Sequence, residues 1–151
     1  MKKVIFLFSL LLAICSCKSL DEYTSNVQMI NKVNSTSYSF RGTGFSKRSD
    51  DFKADAEMNV FNVLLFKGFS GTDLQIPLVD NEAKSKNENE KFYNDFFNNH
   101  KYRDYIISEV SIVSPVKQVK GGYSCQVEFN VNLNSLKTNL QQNGIIRKFG
   151  F

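Results

Sequence analysis

The segment "YSCQVEFNVNLN" (residues 123–134) decides the fold. Tyr123, Cys125, Val127, Phe129, Val131 and Leu133 share one parity, and Ser124, Gln126, Glu128, Asn130 and Asn132 share the other. Period-two alternation of this kind predicts a strand with one face in a core and one in water. A sheet with a wet face is covered by helices on its other face only, which implies a two-layer α+β sandwich and not a doubly wound sheet.

Working outward, "YIISEVSIVSPVKQV" (105–119) is rich in Ile and Val and runs into Lys120-Gly121-Gly122. A Gly-Gly pair between two such runs signals a hairpin, because both positions tolerate φ > 0. Strands near 105–119 and 123–134 are therefore expected to pair antiparallel, with a bulge or an edge position at Pro115. Upstream, "TSYSFRGTGFS" (36–46) reads as a strand, with Tyr38 and Phe40 on one parity. "SDDFKADAEMNVFNVLLFKG" (49–68) reads as a helix capped by Ser49, with Asp50 and Asp51 in its first turn and Gly68 as its stop. Phe52, Ala56, Val60, Val63 and Leu64 form its apolar stripe, with Asp55, Asn59 and Asn62 on the opposite side. The small Ala56 lets such a helix lie close on a sheet.

"TDLQIPLVD" (72–80) alternates Leu74, Ile76 and Leu78 and is expected to be a short edge strand because of Pro77. "NEAKSKNENE" (81–90) is a solvated loop or helix start. "EKFYNDFFNNHKYRDY" (90–105) places Phe92, Phe96 and His100 at spacings of four, a second, shorter amphipathic helix with His100 on or near its stripe. Asn134, Leu136, Leu140 and Gly144 mark a closing helix. The expected order is strand, helix, strand, helix, strand, strand, helix. The sheet has about four strands, too few for the eight of the smallest outer-membrane barrels.

Composition fits this plan. The chain has 151 residues, 42% hydrophobic and 23% charged, with 14 Phe and 6 Tyr, enough for one domain with a core. Setting Lys2 and Lys3 aside as part of a leader, 19 basic residues become 17 against 15 acidic. So small an excess, with no aromatic-plus-basic stripe, gives no nucleic-acid surface.

The leader is "MKKVIFLFSLLLAICSCKS" (1–19): two lysines, then an apolar run from Val4 to Ile14. That is the charged and apolar regions of a signal peptide, short of the ~20 apolar residues of a membrane span. "Ile14-Cys15-Ser16-Cys17" has an aliphatic residue, a variable one, a small one and then cysteine. It resembles the cleavage box of bacterial lipoproteins, and the resemblance implies cleavage before Cys17 and acyl chains on that sulfur. Residues 1–16 are then a signal peptide, 17–34 a lipidated tether spanning ~23 Å as flexible coil, and 35–151 a single domain. Lys18 after the cysteine favours the outer membrane, with its periplasmic face preferred to the cell surface.

With Cys17 acylated and Cys15 removed, Cys125 is left as the only thiol, read as a small core residue. One His and one thiol build no zinc site, so no metal or other cofactor is expected. His100 has no visible base–nucleophile partners and reads as structural. The strongest ligand candidate is Gly42-Thr43-Gly44-Phe45-Ser46-Lys47 between a strand and a helix, since a Gly-rich turn there can cradle phosphate. Against this, Gly42 and Gly44 share the parity of Tyr38 and Phe40, so both can simply admit the helix.

"FRGTGFSKRSDDFKADAEMNVFNVLLFKG" (40–68), "FFNNHKYRDYI" (96–106) and "VEFNVNLNSLKTNL" (127–140) together resemble small envelope domains of the flagellar assembly protein T N-terminal type. The resemblance implies a scaffolding domain without catalytic residues. The two resemblances lead to a non-enzymatic, lipid-anchored envelope protein that contacts other envelope or secretion proteins. The alternative is a lipoprotein binding a small ligand or peptidoglycan near Gly42, Gly44 and Lys47.

Overall fold

The computed structural model describes residues 20–48 and 51–147; residues 1–16, read above as a signal peptide, Cys17, Ser49 and the final Phe lie outside the described residues. Five strands, β1 (Val27–Lys32), β2 (Ser37–Ser46), β3 (Ser111–Ile112), β4 (Lys117–Val119) and β5 (Gly122–Asn132), form one antiparallel sheet. Its order is β1-β2-β5, with β3 and β4 both on the far edge of β5. Four helices, α1 (Phe52–Phe66), α2 (Glu82–Glu88), α3 (Glu90–Tyr93) and α4 (Leu133–Gln142), complete the α+β fold.

The alternation is realised from Cys125 to Leu133, whereas at its start Ser124 is buried and Tyr123 half-buried. Cys125, Val127, Phe129 and Val131 are buried, and Gln126, Glu128 and Asn130 are only half-buried. The central pair β2–β5 runs in unbroken register from Ser37↔Asn132 to Ser46↔Tyr123. Its apolar face meets Val60, Phe61, Leu64 and Leu65 of α1 and Leu136 and Leu140 of α4 in one core. On the other face Arg41 lies opposite Glu128 and pairs with it at 2.9 Å.

Gly42 and Gly44 face α1, as their parity requires. A Cβ on Gly44 would lie 1.9 Å from the Phe52 carbonyl oxygen, and one on Gly42 2.8 Å from that of Ala56. The helix backbone thus rests directly on the strand. Gly68, at φ +73, stops α1, and its N–H donates to Val63 O at 2.8 Å.

Four expectations need correction. Residues 17–34 are not a free tether throughout: β1 pairs with β2 from Val27↔Gly42 to Lys32↔Tyr38, with an irregularity between Met29 and Asn31. The polar outward residues of an edge strand hide its periodicity. Residues 72–80 form no strand. Leu74 and Val79 are buried, Ile76 is exposed, and the Leu78 and Val79 N–H groups donate to Leu64 and Leu65 carbonyls. The unpaired carbonyls at the end of α1 thus take donors that a sheet would otherwise have used.

The stretch 90–105 is not one amphipathic helix, and 81–90 holds a helix of its own. Asn81 caps α2 by accepting from Lys84 N–H at 2.9 Å. Asn94–Asn98 then form a π turn, His100 takes a left-handed φ of 55, and Lys101–Tyr105 form a 3₁₀ turn. Phe96 is buried as expected, whereas His100 is exposed and past the stripe. Finally, 105–119 pairs antiparallel with β5 and breaks across Pro115 as expected, but it does so in three pieces and not two: Ile106↔Val131, Ser111↔Glu128 and Lys117↔Ser124. Between consecutive pieces the register slips by two residues.

A serine stands at each slip. Ile107 N–H donates to Asn130 O, and Asn130 N–H donates to Ser108 Oγ at 2.8 Å. Six residues on, Val113 N–H donates to Gln126 O, and Gln126 N–H donates to Ser114 Oγ at 2.8 Å. Each hydroxyl stands in for the carbonyl that the slip displaces.

Candidate functional site

The Gly42–Lys47 turn is not a phosphate cradle in this fold. The space that a ligand would need above Gly42 and Gly44 is filled by the backbone of α1. Lys47 is exposed beyond the end of β2. None of the three lines either of the two cavities described below.

A buried polar cluster lies elsewhere and joins residues distant in sequence. Glu57 is buried on α1, and its Oε2 accepts from Arg103 Nε at 2.7 Å and from Tyr102 OH at 3.2 Å. His100 Nδ1 lies 3.1 Å from the same hydroxyl. Burial first, and the Glu57 charge second, raise the Tyr102 phenol well above its ordinary value. A phenol held protonated and aimed at a bound carboxylate is neither a base nor a nucleophile at neutral pH. The cluster fastens the 3₁₀ turn to α1, and His100 lines neither of the two cavities described below.

A second knot ties the N-terminal segment down. Asp55 Oδ2 accepts from Phe45 N–H at 2.9 Å, Asn59 Nδ2 at 3.1 Å and Tyr23 OH at 3.2 Å. Asn59 Nδ2 also lies 3.2 Å from Thr43 O. Asp55 and Asn59 therefore face the end of β2 and not the solvent side of α1. The Tyr23 ring lies against Phe45 with centroids 5.1 Å apart.

Cys125 is buried, and that burial pushes its thiol up, so it stays unreactive. Among the described residues no group of three or more His, Cys, Asp or Glu could hold a metal ion. One cavity of about 700 Å³ lies between the 88–105 segment and α4, with Phe92, Tyr105, Asp104 and Asn143 in its wall. Another of about 670 Å³ lies between the 73–81 loop and residues 144–147.

No family model, curated protein or solved structure matches this chain. The surface itself is then the guide. Ile107, Ile112, Val113 and Val116 are 52, 50, 42 and 44% exposed and follow one another along the broken outer edge of β5. Edges facing water ordinarily carry charge or lie covered. Four large aliphatic side chains thus line that edge uncovered, Ile112 level with Val127 on the helix-covered side and Ile107 beside Asn130 on the other. Sequence reasoning took these residues for one strand with a bulge or an edge position at Pro115. The signal that could have exposed the break is the repeat Ile106-Ile107-Ser108-Glu109-Val110 and Ile112-Val113-Ser114-Pro115-Val116. No helix of the described residues is long and apolar enough to cross a membrane.

Proposed function

We propose that this protein is a non-enzymatic, lipid-anchored component of the cell envelope. Lipid on Cys17 holds it at the outer membrane, on the periplasmic side, and its domain binds other envelope proteins of a structural or secretion assembly. The observation that carries the binding half is the apolar outer edge from Ile107 to Val116, the kind of exposed patch that marks protein contacts. The leader pattern and the resemblance to envelope scaffolding domains carry the rest. The two polar knots support a scaffolding role, because each closes on itself and fixes a segment in place.

The test has two arms. Cys17→Ser is expected to release the protein from the membrane fraction and to stop its maturation, as read by fractionation and intact mass. A photo-crosslinker at Ile112 is expected to give one discrete adduct in native membranes, where the same probe at Arg41 gives none. Unchanged membrane retention of the serine variant sinks the anchor, and equal or absent cross-linking at both positions sinks the edge.

A further inference from the structure

The structure places the exit of the N-terminal segment at one defined end of the sheet. Lys120 N–H donates to Asp21 O at 3.0 Å, and Lys120 Nζ pairs with Glu22 at 3.4 Å. Tyr23 is fixed two residues later by Phe45, Asp55 and Asn59. Leu20 is therefore held beside the β4–β5 turn and the last residues of β2, since Ser46 lies opposite Tyr123. Only Lys18 and Ser19 separate Leu20 from Cys17, three Cα–Cα steps and a reach of at most about 11 Å for extended chain. A tether of seventeen residues would let the domain drift; one of two does not.

We infer that this end of the domain, formed by the β4–β5 turn and the last residues of β2, lies directly against the lipid headgroup surface. The inference rests on the anchoring at Cys17 proposed above. The end is furnished for such a contact. Lys47, Arg48 and Lys117 are exposed there and make no ion pair among the described residues. Leu20 and Val116 expose aliphatic surface beside them. Basic groups with interleaved apolar side chains suit anionic headgroups and the boundary beneath them. Asp21, Glu22 and Asp51 temper the charge, so the lipid supplies affinity and the surface supplies orientation.

The direction of α1 gives the rest of the geometry. Its start lies over Gly44, near the membrane end, and it runs fifteen residues, about 22 Å. The 73–81 loop, which takes up the carbonyls at the other end of α1, stands away from the bilayer. The apolar edge runs the same way, with Val116 near the headgroups and Ile107 distal, open to a partner standing on the same membrane.

The experiment uses the full lipidated chain in vesicles of phosphatidylethanolamine and phosphatidylglycerol that carry a headgroup nitroxide. A fluorophore is attached at Val116→Cys, Lys47→Cys or Ile76→Cys; buried Cys125 stays unlabelled in the folded protein. Quenching at positions 116 and 47 is expected to exceed that at 76 by at least threefold. Equal quenching at all three, or the greatest at 76, overturns the orientation while leaving the anchor intact. A protein that fails to float with the vesicles, or whose intact mass shows a bare Cys17, overturns the anchor and the orientation with it.

Discussion

At Gly44 the smallest side chain decides how the two layers meet. Its missing Cβ would stand 1.9 Å from the Phe52 carbonyl oxygen, a backbone atom that cannot rotate away. Gly44→Ala is expected to lower stability by about 2–4 kcal/mol in urea unfolding. The polar counterpart is Tyr102, whose phenol donates to buried Glu57. Its folded pKa is raised, so the folded state holds the phenolic proton more tightly than the unfolded chain does. The stability this provides is complete below the unfolded value of 10.0 and is lost as pH rises from there through the folded value. Unfolding followed between pH 8 and 11.5 should show stability falling above pH 10, and Tyr102→Phe should make the fall shallower. Tyr23, Tyr93 and Tyr105 are shifted in the same direction and leave a residual slope. Arg103→Met should cost about 2 kcal/mol at neutral pH, because it strips buried Glu57 of its cation.

At the scale of the element, the broken edge is the distinctive piece. A regular strand over 105–119 would put every backbone group in step with β5, yet the chain slips twice and repairs each slip with a hydroxyl. Ser108→Ala and Ser114→Ala each leave a β5 amide without its acceptor. Each should cost about 1 kcal/mol, and somewhat more if the amide stays dry. Hydrogen exchange is the sharper measurement: Asn130 N–H should lose protection in the first variant and Gln126 N–H in the second, with the other amide unaffected. The slips have a further consequence. They leave Ile107 and Val113, each one residue before a serine, exposed at the edge, where an uninterrupted strand would be an open template for pairing. The 81–105 segment follows a similar rule. Its π turn and the left-handed His100 interrupt the helix so that Phe96 and Tyr102 both reach Phe61.

For the whole molecule, the central fact is that β2 and β5 are neighbours in the sheet although seventy-five residues separate Ser46 from Gly122. All of α1 to α3 are contained in that excursion, so the core closes only when the two long strands meet. The N-terminal segment is bound into the same unit by Tyr23. Tyr23→Ala should cost about 2 kcal/mol, less than removal of a fully buried aromatic. In the lipidated protein it should also reduce the difference in bilayer quenching between positions 116 and 76 while membrane retention persists. Loss of stability without that change in quenching would mean that the segment is held by other contacts.

The sequence by itself determined the two-layer α+β class, because alternation over 123–134 and a helical stripe over 52–64 are local signals that any packing must respect. It also determined that Gly42 and Gly44 belong to the face shared with Phe40. Only the tertiary structure decided which polar residues are bound inside. Asp55, Asn59 and Glu57 look alike along the helix, and their partners come from segments dozens of residues away. The fate of 72–80 was likewise decided there, since its donors were claimed by the end of α1. So was the start of the domain: β1 carries little apolar periodicity of its own and exists because β2 has an edge to offer. Local pattern sets what each segment can be; competition for backbone hydrogen bonds and for space at the core sets what it becomes.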